Sequence, residues 1–265
     1  MISPCATCTR SCCRHHLVTV TGYDVWVIAK GLRLAPEQFL LTVPQQKPNG
    51  RGFLLNDPQQ TYDIALDKAP AKTEAKPCVF WLEFPNGIGR CGIYPLRPYV
   101  CQTYPAFLNN LTVERREDVL CLEDAWRDGS LQQPVWRERL CRMQVEFDIY
   151  GLAVARWNYH VQRTAHPKLI SVLGYYTYLM NYYARLEPLR VNLEASEWQA
   201  MSEQWSKCRL EDPSPLVAEV AGMERWSKVI ETIRAVTDQF FPNDLFLGEV
   251  EAEKASAVQE HASTI

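Results

Sequence analysis

The chain has 265 residues, 47% of them apolar and 22% charged, with a formal net charge of −3. These proportions describe a globular protein with room for one large or two modest domains, and they exclude a polybasic surface of the kind that grips phosphate backbones. The longest apolar runs fall well short of the roughly 20 residues that cross a bilayer, so neither a nucleic-acid partner nor a membrane span is expected.

In chain order, the first feature is "CATCTRSCCRHH", which places Cys5, Cys8, Cys12, Cys13, His15 and His16 close together. "TGYDVWVIAKGL" predicts a short helix capped by Thr21 and stopped at Gly31. "LAPEQFLL" predicts a second, with Pro36 in its first turn. "RGFLLN" and "TYDIALD" are candidate short strands, and "CVFWLEFPNGIGRCGIY" predicts a hairpin turning at Asn86-Gly87. Beyond it the apolar spacing becomes helical. Leu140, Met143, Phe147, Tyr150, Val154, Trp157 and Val161 stripe a helix over 134–164; Leu169, Val172, Tyr176, Leu179, Tyr183 and Leu186 stripe another over 168–187. A shorter helix is expected at 193–205 and a long one from Ser214-Pro215 to about 236. The expected organisation is a cysteine-rich module at 1–130, a helical region at 131–245 and a disordered tail at 246–265. As a fold class this is mainly α, with a small irregular α+β module organised by metal and a helical C-terminal half.

The start "MISPCATCTRSCC" lacks a cationic segment followed by an apolar run, so a cytoplasmic setting is expected. Thiols there stay reduced unless metal or catalysis claims them. Of ten cysteines, nine lie between residues 5 and 141, and a chain of this size does not need disulfide staples. The geometry of the first cluster argues against a simple finger. On one helix Cys5 and Cys12 would be about 10 Å apart along the axis, from a rise of about 1.5 Å per residue. Sulfurs around one zinc lie within about 4 Å of each other. The neighbours Cys12 and Cys13 also point about 100° apart on a helix and oppositely on a strand. The cluster must therefore loop, serve more than one metal, or find partners elsewhere. Cys78, Cys91, Cys101 and Cys121 form a second group, bringing the total to eight thiols. Neither the ferredoxin nor the plant-type iron–sulfur spacing is present.

The first cluster, Cys78, and then "RCGIYPLRPYVCQTYPAF" with Ile93, Tyr94, Arg97, Pro98, Cys101, Tyr104 and Pro105 resemble the YkgJ-like cysteine-cluster family of zinc- or iron-chelating CxxCxxCC domains. The resemblance covers about residues 1–125. It implies metal ligands among Cys5, Cys8, Cys12, Cys13, Cys78, Cys91 and Cys101, with Cys121 as an eighth, and zinc, iron or an iron–sulfur cluster as cofactor. Two departures stand out: three residues separate Cys8 from Cys12, and Gln102 follows Cys101 where members often carry Arg. Flagellin lysine N-methylases share this cysteine core, but no Gly-rich strand–turn–helix for a methyl-donor nucleotide is visible here.

Arg97, between Cys91 and Cys101, is placed to offset thiolate charge from outside the coordination sphere. Cys141 lies in an apolar-periodic helix and reads as a small core residue. The run "GYYTYLMNYYARL" reads as packing. The functional expectation is a cytosolic metal-binding protein with a structural, electron-transfer or metal-handling role. A metal-dependent modifying enzyme related to the methylases and a scaffold whose helical half binds a protein partner are the alternatives.

Overall fold

The computed structural model describes residues 12–191, apart from 48–49, 71–75, 86–88, 110–111, 118, 122–125, 127–130, 132, 164–169 and the side chains of 189–191. The helices expected at 193–205 and 214–236, the tail, Cys5, Cys8, Cys208 and the Asn86-Gly87 turn lie outside these residues. What is described is a mixed α+β fold, richer in strand than the mainly helical expectation.

After a single helical turn, α1 (Cys12–His15), comes α2 (Gly22–Leu32). Thr21 caps α2 through a reciprocal box: its hydroxyl accepts from the Asp24 N–H at 3.3 Å, while Asp24 Oδ2 accepts from the Thr21 N–H and hydroxyl at 2.9 Å each. The helix does not stop at Gly31. It ends at Arg33, whose φ of 56° lets its N–H reach the Ala29 carbonyl. Gly31 serves instead as a point of close approach, because a Cβ there would lie 2.6 Å from Leu96 Cδ1.

The second expected helix is corrected. Only Pro36–Gln38 turn, and the chain then extends as β1 (Leu40–Pro44). That run pairs antiparallel with β3 (Thr61–Leu66), Leu40 facing Leu66 and Thr42 facing Ile64, while β2 (Phe53–Leu54) pairs on the other side. Tertiary pairing overrides the local helical pattern here. The expected cysteine hairpin is present as β4 (Trp81–Glu83) and β5 (Gly89–Cys91). A five-residue helix α3 (Tyr99–Thr103) and a further hairpin, β6 (Ala106–Asn109) with β7 (Thr112–Arg115), complete the N-terminal part.

Two long helices follow, α4 (Pro134–Arg163) and α5 (Val172–Val191). They share one apolar core with α2 and the three-stranded sheet. Trp157, fully buried, donates from Nε1 to the Leu54 carbonyl at 2.7 Å, and Asn158 accepts the Leu54 N–H at 2.7 Å. Two helix side chains thereby satisfy the backbone of a two-residue strand, which explains why so short a β2 holds its place. Phe53 stacks on Tyr175 with centroids 3.8 Å apart. The Tyr175 hydroxyl donates to that of Tyr150 at 2.9 Å, and Tyr178 to the Ala153 carbonyl at 2.9 Å. The tyrosine run is core packing, with the buried Tyr175 and Tyr178 hydroxyls bonded. Cys141 is fully buried, and a second apolar cluster gathers Ala106, Val113, Trp126, Leu131, Trp136 and Leu140 around β6, β7 and the start of α4.

One acid in this core is charged at a cost. Asp148 faces Arg51 at 3.6 Å, yet burial pushes its carboxyl up to about 6 against the opposing pull of Gln144 and Arg51. The fold holds this proton more tightly than the unfolded chain, whose Asp titrates near ~4. The group's contribution is therefore most favourable below about pH 4 and is lost as pH rises through about 6. Asp148→Asn should flatten the decline in unfolding free energy between about pH 4 and 7, a difference on the order of 3 kcal/mol, in urea melts across that range.

Candidate metal centre

The site is built from three lengths of chain that carry thiols and one that does not. The first is α1, where the His16 N–H closes the turn on the Cys12 carbonyl at 2.9 Å. The second begins at Cys78, whose N–H donates to the Cys13 carbonyl at 2.8 Å. The third is α3, which carries Cys101 and is entered through Pro98, as the X-Pro geometry at Arg97 leads one to expect. Lys68 belongs to the fourth length, just after β3. It bridges Cys78 and donates from Nζ to the carbonyls of Cys13 at 3.4 Å and His16 at 2.5 Å.

Cys91 is brought in by the hairpin, where it lies directly across from Trp81. The Trp81 ring occupies the space above Gly89 so closely that a Cβ at Gly89 would lie 1.4 Å from Cζ2. The same ring lies 5.8 Å from the guanidinium of Arg14, which also pairs with Glu83 and so ties α1 to β4. At the other end, the buried Asp24 accepts the Tyr99 N–H at 2.9 Å and fixes the first turn of α3 to the cap of α2. Gln102 donates to the Arg97 carbonyl at 2.6 Å and so holds the α3 entry.

The electrostatics show which thiols gather. Cys12 is lowered to about 7, chiefly because the Cys13 thiol donates a hydrogen bond to it, with the charge of Arg97 helping and burial opposing. Cys13 is pushed up by the same bond, by burial, and by the charges of Cys12, Cys101 and Cys78. Burial raises Cys78, which also responds to Cys91 and Cys12 upward and to Lys68 downward. Burial raises Cys91 while Arg97 pulls it down. Cys101 is raised well above its ordinary value, first by burial, then through Cys12, Cys78, Cys91 and Asp24. Five thiols from residues 12 to 101 thus lie within reach of one another's charge.

Among the described residues, no three His, Cys, Asp or Glu side chains are drawn together into a coordination sphere. The donor set nonetheless fits a soft or borderline metal. It is sulfur-rich, and Asp24, the carboxylate whose charge bears on Cys101, spends its oxygens on Thr21 and Tyr99. A bound cation would reverse the charge balance that now keeps most of these thiols protonated, because coordinating thiols lose their protons.

The remaining expected residues are placed as follows. Arg97 is half-buried, stacks 3.7 Å over the exposed Tyr94 ring and bears on Cys12 and Cys91 through its charge. Cys121 packs against the second apolar cluster. His15 is exposed; His16 tilts against Tyr104 with its Nε2 buried and unbonded. Arg90 bonds the Gly89 carbonyl. Lys68, Asp24 and Trp81 were missed by the sequence reading. Only Asp24 left a signal there, as the third residue after Thr21 in a capping box.

A family model, CxxCxxCC, described as "Putative zinc- or iron-chelating domain", matches residues 4–142. The chain belongs to this family. No curated protein and no solved structure matches it.

The hairpin gives a direct test of the site's scaffold. Gly89→Ala should force Trp81 from its place and lower stability by about 1–3 kcal/mol, the usual cost of overpacking, measured by chemical unfolding.

Proposed function

We propose that this protein binds zinc or iron through a thiolate centre whose inner set is Cys12, Cys13, Cys78, Cys91 and Cys101, completed by Cys5 and Cys8 from the adjoining segment. The observation that carries the reading is the mutual electrostatic influence of five cysteines from separate elements, on a scaffold of backbone bonds centred on Cys13. The elements that present them are short: β4 and β5 have three residues each and α3 has five. Segments of that length gain little from their own hydrogen bonds, which favours a structural contribution from the metal. A bound ion would join α1, the hairpin and α3, and its binding energy would be folding energy for this part of the chain. A reducing, cytoplasmic setting suits such a centre, since it keeps unliganded thiols from pairing. Cys121, against the other apolar cluster, stands outside the inner set in this reading.

Anaerobic purification followed by metal and sulfide analysis tests the proposal. Zinc in a colourless protein, or iron with matching sulfide and absorption near about 400 nm, is the expected result. A chain that carries neither metal and takes up neither when supplied overturns it. Loading should also slow amide hydrogen exchange across residues 77–104 relative to chelator-treated protein. In the same assay, Cys101→Ser should weaken metal affinity by about tenfold or more, while Cys121→Ser stays within about threefold of the parent.

A further inference from the structure

The cation on this scaffold that engages the thiol-bearing backbone directly belongs to a segment without cysteines. Lys68 is half-buried, and its two acceptors are main-chain carbonyls, those of Cys13 and His16. The Cys13 oxygen also receives the Cys78 N–H. Neighbouring bonds from Ala69 N–H to the Pro77 carbonyl and from Val79 N–H to the Asp67 carbonyl, each 2.8 Å, hold Lys68 beside Cys78. Its ammonium therefore faces the end of the Cys12–His16 turn from a fixed platform. No carboxylate forms an ion pair with it among the described residues.

Arg14 offers a contrast. It too binds α1 to the rest of the site, but through Glu83, whose side chain is 54% exposed. An exposed pair of that kind adds little stability and cancels the charge of the cation. Lys68 bonds instead to two main-chain carbonyls, which carry no formal charge. Multi-thiolate centres carry excess negative charge, and groups around them set both ligand orientation and the balance of charge.

We propose that Lys68 is a positioning residue of the thiol centre: it clamps the Cys12–His16 turn to the segment that carries Cys78 and brings there a positive charge that no carboxylate pairs with among the described residues. This rests on the metal-binding reading and adds to it a residue that lies outside the cysteine pattern. Two roles are combined in one side chain. The hydrogen bonds fix where the Cys12–His16 turn sits, and the ammonium that makes them is held beside Cys78.

Cobalt(II) titration of the full chain, with the ligand-field spectrum and affinity read by chelator competition, tests this. Lys68→Met should bind cobalt about tenfold or more weakly, with altered ligand-field bands and an unchanged far-ultraviolet spectrum for the metal-free protein. Lys68→Arg, which keeps the charge and donors, should restore affinity to within about threefold. Lys68→Gln, which keeps a donor without charge, should fall between them and supplies the comparison if the Met variant does not fold. Wild-type affinity in Lys68→Met or Lys68→Gln overturns the proposal, as does an equal loss in the Met and Arg variants. If the parent chain takes up no cobalt, zinc or iron, the metal-binding reading fails first and this inference falls with it.

Discussion

The carbonyl oxygen of Cys13 is where the N-terminal part of this molecule is joined. It accepts the Cys78 N–H at 2.8 Å and the Lys68 ammonium at 3.4 Å, linking segments more than 50 residues apart in sequence. A carbonyl can accept two bonds at once, and a buried one left unbonded is costly. Everything around it is short. α1 is one turn, the hairpin strands have three residues, and α3 is little more than one turn. Such pieces have no independent stability, so their arrangement depends on cross-bonds like this one and on the core beneath.

That core also explains the chemistry of the thiols. Cys13, Cys78, Cys91 and Cys101 pack against the same apolar cluster that α2, α4 and α5 share with the sheet. Burial disfavours thiolate, and each neighbouring thiolate disfavours the next. The metal-free protein is accordingly a poor place for several negative sulfurs, with Cys12 the exception because Cys13 donates to it and Arg97 lies nearby. In the proposed centre, a bound cation would offset both penalties together.

Much of this was readable in the sequence, for identifiable reasons. The long helices announced themselves because 30 and 20 residues give a 3.6-residue period room to show. Thr21 marked the start of α2 because capping is a local transaction between neighbours. The cysteine hairpin was visible because a β-rich run leads into a turn sequence. What escaped was decided by distant partners. Leu40 and Leu41 looked like the end of a helix and became the start of a strand through pairing with β3. Gly31 looked like a terminator and is instead a gap filled by Leu96. The β6–β7 hairpin carried no turn motif that stood out. Lys68 had no pattern at all, because its role comes from two carbonyls about 50 residues earlier in the chain. Within the candidate site, the cysteines were visible in the sequence and the groups that pack and bond around them were not.

The rings between α3 and α5 carry one more consequence. Tyr99, two residues before Cys101, stacks on Tyr23 at 6.0 Å; Tyr23 meets Tyr183 at 6.2 Å; and Tyr183 lies where a Cβ on Gly22 would fall, 2.3 Å away. Close-packed rings transmit displacement because there is no void to absorb it. The seat of the Cys101 helix and the register of α5 against α2 are therefore one mechanical variable. The helix that carries Cys101 and the tyrosine-bearing α5 have to settle together.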